Sequence, residues 1–388
     1  MKVGIPKETY PDETRVAMVP AQLQALTKAG FEVVVESGAG VDAGFPDELY
    51  VDKGASIVDR DGAFGADVVF QVRTFAANPD AGGADLPRYR EGSFVIGFCD
   101  PLDAGDAVRR LGETGVQLFS MELVPRISRA QHMDALSSQA TIAGYGSVMM
   151  AASRLPKIFP MLTTAAGTLS PARVLVIGAG VAGLQAIATS KRLGAIIQAY
   201  DVRPAAQDDV ESVGAKLLQL PLEPGDAEDA SGYAKDLGEA FYQRQQEFLA
   251  AATSTIDVVI STALIPGKPS PLLLTEEAVK GMAPGSVIVD LAAAKGGNCA
   301  LTKADDEVAA HGVTILGPTN MPARAPTHAS QLYARNLCNF LLAQSAEGAF
   351  VPDDDDEIIA ETLVARGGAV VHPRLRPPEA SSGEEVHA

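Results

Sequence analysis

Val174-Leu175-Val176-Ile177 runs straight into Gly178-Ala179-Gly180-Val181-Ala182-Gly183, and residues 184–193 behind it have helical character. A strand that turns this tightly into a helix belongs in a parallel α/β sheet. The first glycine permits the turn, the second lets a ligand approach the backbone, and the third lets helix and strand pack closely. The helix N-terminus then presents unpaired N–H groups, a ready site for the pyrophosphate of a dinucleotide. A second strand ends in Tyr200-Asp201, and Asp201 lies 23 residues after Gly178, near the spacing of the acid that binds the adenosine ribose hydroxyls. A carboxylate there repels a 2′-phosphate, so NAD is favoured over NADP. Arg203 argues the other way, because an arginine nearby can receive that phosphate. The contact set expected from this unit is Gly178, Ala179, Gly180, Val181, Gly183, Asp201, Val202 and Arg203. The plain alternative is a strand–helix turn that holds no ligand.

Gly38-Ala39-Gly40-Val41-Asp42-Ala43 fits the same pattern, but Gly44-Phe45-Pro46 follows. No helix opens on those glycines, so the anion site lacks its main donors and the segment is expected to be a loop. Elsewhere, strand-like runs alternate with helical or irregular spacers. Val33-Val34-Val35, Val68-Val69-Phe70 and Phe94-Val95-Ile96 make a first series. Val174 to Ile177, Ile196 to Tyr200, Val258-Val259-Ile260, Val287-Ile288-Val289 and Val313-Thr314-Ile315 make a second. This alternation predicts an α/β chain with two doubly wound Rossmann-like domains, parallel sheets, and long helices joining them. Residues 128–155 read as one long linking helix, and residues 329–343 as another. The expected domains are 1–135 with about 325–373, and 136–324. Residues 374–388, rich in Pro and Ser, read as a disordered tail.

The chain has 388 residues and a formal net charge of -18. That balance argues against a nucleic-acid partner, which needs clustered Lys and Arg. The three cysteines form no CxxC pair, which suggests a reducing, cytoplasmic compartment. The N-terminus lacks the apolar stretch of a signal peptide, and no apolar run is long enough for a membrane span. The acidic run 353–357 reads as a solvated turn, and no metal site is expected.

Several longer segments carry a resemblance. The stretch from Val174 to Thr189 resembles the NAD(H)-binding component of proton-translocating transhydrogenase. So do Pro125-Arg126-Ile127-Ser128-Arg129-Ala130-Gln131, Met133-Asp134-Ala135-Leu136-Ser137-Ser138-Gln139, Thr262-Ala263-Leu264-Ile265-Pro266-Gly267-Lys268 and Gly296-Gly297-Asn298-Cys299. The N-terminal region is shared more broadly with alanine dehydrogenase. The resemblance implies that NAD(H) is held against NADP(H) on a partner component. Hydride would pass directly between the two nicotinamides, and a membrane-embedded component would couple the step to proton movement. It implies a separately encoded NAD subunit, a homodimer, cytoplasmic and peripheral on the inner membrane through its partner subunits.

The resemblance also assigns roles. Direct hydride transfer needs two rings held in contact, so orientation carries the catalysis. Gln131, Arg126, Asp134 and Ser137 are the expected orienting, catalytic residues. Ile127, Ser128, His132 and Met133 join them as cofactor contacts. Gln131, Asp134 and Ser137 are spaced by three, which on a helix places neighbours on one face. The bland alternative is a helix start, with Ser128 as N-cap and Gln131 completing a capping box. Residues 225–245 match a flap that folds over the nucleotide, with Gly232, Tyr233 and Gln245 as contacts. Leu264 is expected beside the cofactor. Closure of such a flap excludes water. Ala293-Ala294-Lys295 departs from relatives, which often carry an acid there.

Two other functions compete with this one. An amino-acid dehydrogenase resembling alanine dehydrogenase needs a cation for the substrate carboxylate and acid/base groups. Arg15 offers the first, although its plain role is a cap or surface salt bridge. Arg73 stands where a lysine would be expected, and Phe98-Cys99-Asp100 offers no histidine. A non-catalytic NAD-binding protein is the other alternative.

Overall fold

The structure is a computed structural model that describes residues 1–220 and 239–375. Gly232 and Tyr233, the adjoining part of the expected flap, and the tail beyond residue 375 lie outside the described residues. In chain order, strands β1 to β6 are Lys2–Ile5, Glu32–Glu36, Ser56–Val58, Val68–Arg73, Phe94–Phe98 and Gln117–Ser120. β7 and β8 are Leu162–Thr164 and Gly167–Leu169. β9 to β15 are Arg173–Ile177, Ile196–Tyr200, Lys216–Leu218, Val258–Ser261, Val287–Asp290, Glu307–Ala310 and Val313–Leu316. β16 to β19 are Ser345–Ala346, Ala349–Phe350, Leu363–Arg366 and Ala369–Val370.

The chain divides into two compact units. The first is Met1–Leu136 with the segment from Pro326 onward, and the second is Ser137–Ala325. The first unit holds a sheet of order β19-β18-β6-β5-β4-β1-β2-β3, and the second holds β11-β10-β9-β12-β13-β15-β14. Both are α/β sheets wound with helices, as the alternation of elements predicts. Neither is wholly parallel, however: β18 runs antiparallel to β6, and β14 antiparallel to β15. The reversed strands lie at one end of each sheet, with β19 antiparallel again outside β18, and an antiparallel neighbour there needs no crossover helix.

In the first unit, Val3, Val33, Val68, Phe70, Phe94 and Phe119 share one buried cluster with Tyr333, Leu337 and Phe340. The last three lie on the helix Pro326–Ala343, which is why the C-terminal segment packs here. In the second unit the strands are buried on both faces. Val174, Val176, Val258, Val287 and Val289 pack with Val148, Ala186 and Ile187. The alternate residues Leu175, Ile177, Val259 and Ile288 pack with Leu249 and Val279. That period of two explains why these strands are continuous apolar runs.

The stretch 128–155 is not one helix. Ser128–Met133 is a 3-10 turn, Asp134 is extended (φ -67, ψ 91), and the α-helix is Ala135–Arg154. The break lets Ala130 and Met133 enter the first unit's core, which a straight helix would not. Gln131, Asp134 and Ser137 therefore do not form one helical face. The capping box is also absent, because Ile127 is the N-cap residue and makes no side-chain cap bond.

Candidate functional site

In the second unit the strand order reverses at β9, with β10 on one side and β12 on the other. Ligands of doubly wound sheets bind outside the carboxyl ends of the strands at such a switch point. β9 ends there in the glycine turn. Gly178 has φ +92, and a Cβ on it would lie 2.6 Å from Thr262 Oγ1. On Gly183 a Cβ would lie 1.8 Å from the Gly178 carbonyl oxygen, so helix and strand are in backbone contact. On Gly180 it would meet nothing within 4 Å. Two glycines are therefore required by the fold itself, while the middle one faces open space.

Gly180 is the N-cap of the helix Val181–Arg192, which has no side-chain cap and no acid in its first turn, while Lys191 and Arg192 occupy its last. The first-turn N–H groups have no partner within the helix, and the macrodipole favours an anion beside them. The helix Ala135–Arg154 presses on this turn. A Cβ on Gly144 would sit 2.2 Å from the Ala182 carbonyl oxygen. By contrast, the decoy glycines lead only to the 3-10 turn Val41–Ala43. The Gly38 N–H is already taken by the Asp47 carboxylate at 2.8 Å, and Gly40 is crowded by Tyr50 and Phe45.

Asp201 follows β10 and its carboxylate is nearly buried, 6% exposed. Oδ2 accepts the Ala179 N–H at 2.7 Å, tying the acid to the glycine turn. Arg203 grips the same carboxylate: its backbone N–H and Nε donate to Oδ1, and one terminal nitrogen donates to Oδ2, each at 2.9 Å. Val202, between them, is partly buried. Val181 is 40% exposed on the first helical turn, and Leu264, after β12, is 44% exposed.

Gln245 is buried on the helix Glu239–Thr253. Its Nε2 donates to Tyr200 Oη at 3.0 Å, while Oε1 is buried without a partner. Burial pushes the Tyr200 hydroxyl up to about 12 against the pull of that hydrogen bond. A buried orphan acceptor normally has a partner, so Gln245 is suited to meeting a donor from a bound molecule.

Sequence reasoning attached no role to three residues that brace this edge of the sheet. Thr262 Oγ1 donates to the carbonyls of Ile177 and Gly178 at 3.2 and 3.0 Å. Asn298 Oδ1 accepts from Ser261 Oγ and the Ala263 N–H, and its Nδ2 donates to the carbonyls of Ala263 and Pro271. Asp290, fully buried, accepts from the N–H groups of Ala292, Asn298 and Cys299 and from Thr302 Oγ1. Burial raises its pKa against those four bonds. The only prior signal was that Thr262 and Asn298 stood inside motifs shared with a family. The loop after Asp290 is shaped by Gly296 and Gly297, both at positive φ, after the 3-10 turn Ala293–Lys295.

The other expected contacts belong to the first unit, apart from Ser137, where the second unit begins. There the 3-10 turn is anchored from beneath. Ala130 and Met133 are buried, the carbonyl of His132 accepts from Asn336 and Asn339 at 3.1 and 2.9 Å, and Arg129 forks onto Asp356. Met133 therefore serves as an anchor. Arg126, Ser128, Gln131 and His132 are exposed, with Ile127 and Asp134 partly so. The acidic run 353–357 holds structure in place: Asp354 pairs with Arg366, and Asp356 caps the helix Glu357–Thr362.

Arg15 is neither a cap nor a surface bridge. It forks onto Glu13 at 2.7 and 2.6 Å with both side chains buried. Arg73 reaches the same carboxylate at 3.4 Å and lies over the Tyr10 ring.

The described residues contain no group of His, Cys, Asp and Glu able to hold a metal, and no helix long and apolar enough to cross a membrane. A cavity of about 580 Å³ in the second unit, lined by Tyr145, Met149, Met150, Leu316, Met321 and Arg324 among others, includes none of the expected contacts.

Residues 4–143 match the alanine dehydrogenase/PNT N-terminal domain, and residues 147–373 the C-terminal domain of the same name. The chain is 46% identical over 380 residues to the first segment of the divided NAD(P) transhydrogenase subunit alpha of Rhodospirillum rubrum, covering 97% of this chain and 99% of that one. A transhydrogenase structure from Sinorhizobium meliloti superposes with a TM-score of 0.84 at 42% identity, over 96% of this chain and all of that one. Alanine dehydrogenase 1 of Staphylococcus aureus is more distant, 27% identical over 97% of this chain and 96% of its own length.

Proposed function

The chain belongs to the alanine dehydrogenase/PNT family, and we propose that it is the NAD(H)-binding alpha component of a proton-translocating NAD(P) transhydrogenase. The observation that carries this reading is the 46% identity to a transhydrogenase alpha segment over nearly the whole of both chains. The glycine turn fits the cofactor: open space at Gly180, a bare helix N-terminus, and Asp201 beside it.

The N–H groups at Gly180 and Val181 would hold the pyrophosphate, with Ala179 and Gly183 shaping the turn. Asp201, with Val202 and Arg203 around it, would lie beside the adenosine ribose, where a hydroxyl reaches the carboxylate only by displacing one of the four donors it now holds, and Gln245 would meet a donor with its unpartnered oxygen. Leu264 would cover the cofactor. Bound NADH supplies the hydride, and the chain's own residues set its direction. Gln131, Arg126, Asp134 and Ser137 orient the reacting ring, backed by Ile127, Ser128 and His132. Gly232 and Tyr233 complete the contacts. Catalysis then rests on orientation, so a rigid floor under Gln131 is useful; Ala130, Met133 and the Arg129–Asp356 fork supply one.

NADP(H) would be held by a partner component, with a membrane-embedded subunit coupling the transfer to proton movement, and this chain cytoplasmic and peripheral on the inner membrane. A homodimer belongs to the same reading. β7 and β8 form a lone exposed hairpin carrying Leu162 and Leu169, with Met161 exposed beside it. A lone two-stranded ribbon is marginal in water, and a second copy would cover it.

The test has two stages. The purified chain should bind NADH and should not oxidise it with pyruvate and ammonium. Adding an NADP-binding transhydrogenase component should then start hydride transfer to NADP⁺. Turnover with pyruvate and ammonium alone would make the chain an amino-acid dehydrogenase. NADH binding with no transfer in the reconstituted mixture would favour a non-catalytic NAD-binding protein.

A further inference from the structure

The Asp201 carboxylate has about four acceptor positions, and the chain fills all four. Ala179 N–H takes one, and the backbone N–H, Nε and a terminal nitrogen of Arg203 take three. Arg203 is correspondingly withdrawn, its side chain only 20% exposed. A planar guanidinium engaged edge-on with a carboxylate has spent the donor fork that would otherwise clasp a phosphate. We propose that Arg203 is a sequestered receptor for a 2′-phosphomonoester on the adenosine ribose, and that Asp201 selects NAD(H) by holding that guanidinium as well as by repelling the phosphate. The proposal rests on the dinucleotide reading of this site and adds a specificity-determining role to it.

The two halves of the selection are separable. Repulsion acts whatever residue follows Asp201, whereas sequestration requires the arginine. If the carboxylate is removed, repulsion vanishes and Arg203 is released beside the ribose position. The site then gains a phosphate ligand as well as losing an obstacle. Asp201→Asn is the cleanest way to do this. An amide oxygen in the Oδ2 position can still accept the Ala179 N–H, while the amide NH2 in the Oδ1 position, a donor, opposes the backbone N–H and Nε of Arg203 and leaves the guanidinium at most one of its bonds.

The experiment compares NADPH and NADH dissociation constants for the unaltered chain, Asp201→Asn, and Asp201→Asn/Arg203→Ala. Asp201→Ser with and without Arg203→Ala serves as a parallel pair should the Asn variant fold poorly. We expect the single variant to bind NADPH at least about tenfold more tightly than the unaltered chain, with affinity falling as salt rises, as a phosphate–guanidinium contact requires. Adding Arg203→Ala should abolish most of that gain and its salt dependence. NADH measured in the same samples separates this from a general loss of fold, which would weaken both nucleotides. Equal NADPH affinity in the single and double variants would overturn sequestration and leave repulsion alone. No gain in the single variant would overturn it as well. Failure of the unaltered chain to bind NADH at all would instead refute the dinucleotide reading itself.

Discussion

The three glycines of the turn do different work, and Gly180→Ala separates them. Gly180 has φ -77 and ψ -171, extended backbone open to alanine, and its Cβ would meet nothing within 4 Å. Replacing glycine where the new residue fits stabilises a protein by about 0.4–1 kcal/mol through the unfolded chain. For a unit of this size that corresponds to a rise in Tm of about 1–4 °C. Binding should go the other way. A methyl group at the open position keeps a pyrophosphate from the backbone N–H groups, and losing two charge-assisted hydrogen bonds at about 1.5–3 kcal/mol each removes ~3–6 kcal/mol. At about 1.4 kcal/mol per decade that is a fall of at least about a hundredfold in NADH affinity. Gly183→Ala is the contrast. Its Cβ would lie 1.8 Å from the Gly178 carbonyl oxygen, so helix and strand must separate and stability itself must fall. Thermal unfolding and NADH titration of both variants give the result. If Gly180→Ala bound NADH within about threefold of the unaltered chain, the backbone at Gly180 would not be the phosphate cradle and the reasoning from open space would fail.

The remaining predictions concern orientation, packing and pH. Gln131→Asn should slow hydride transfer in the reconstituted system far more than it weakens NADH binding; equal losses would remove its orienting role. Gly144→Ala puts a methyl 2.2 Å from the Ala182 carbonyl oxygen, so it should destabilise by about 1–3 kcal/mol as overpacking does. An unchanged Tm would show that the helix Ala135–Arg154 yields freely. Glu122, between Ser120 Oγ and the N–H groups of Cys99 and Asp100, is raised by burial, then by the charge of Asp100, from 4.5 to about 7. Its neutral form is favoured when folded, so its contribution is full below about pH 4.5 and is lost as pH rises through 7. Glu122→Gln should therefore flatten the decline in Tm between about pH 4.5 and 7, and parallel curves would contradict this.

What could be read from the sequence follows from how local each constraint is. The turn from Val174 to Gly183 and the acid at Asp201 were legible because strand, glycines and helix adjoin in the chain. The continuous apolar strands were legible because both of their faces are buried. The break at Asp134 was not. No proline or run of glycines marks it, and it arises because Ala130 and Met133 are drawn into a core whose other half, Leu337 and Phe340, comes from a distant stretch of the chain. Asp290 and Asn298 escaped for a related reason. Each is held by hydrogen bonds to loops whose proximity only the assembled sheet creates. β1 was easily missed too, since Gly4 interrupts a short run. Yet a Cβ there would lie 1.9 Å from the Ala63 carbonyl oxygen, so the glycine is what lets the helix Arg60–Phe64 approach the strand.

A shared fold leaves the chemistry open, and this family includes enzymes that need acid/base groups as well as components that need only alignment. The carboxylates at the carboxyl edge of the second sheet bear on the choice. Asp201 has its acceptor positions filled by Ala179 and Arg203, and Asp290 has four donors of its own from the chain. A general base must reach the proton it removes with a free lone pair, and neither carboxylate has one to offer in this structure. Both are built to hold backbone in place. In the first unit, Glu13 is likewise committed to Arg15 and Arg73. Carboxylates spent on geometry suit a reaction in which hydride moves between two rings and no proton is exchanged with the protein. They also make the cofactor-selecting acid a fixed element of the turn, so that a substitution at Asp201 has to keep the Ala179 bond if it is to loosen the arginine without disturbing the turn.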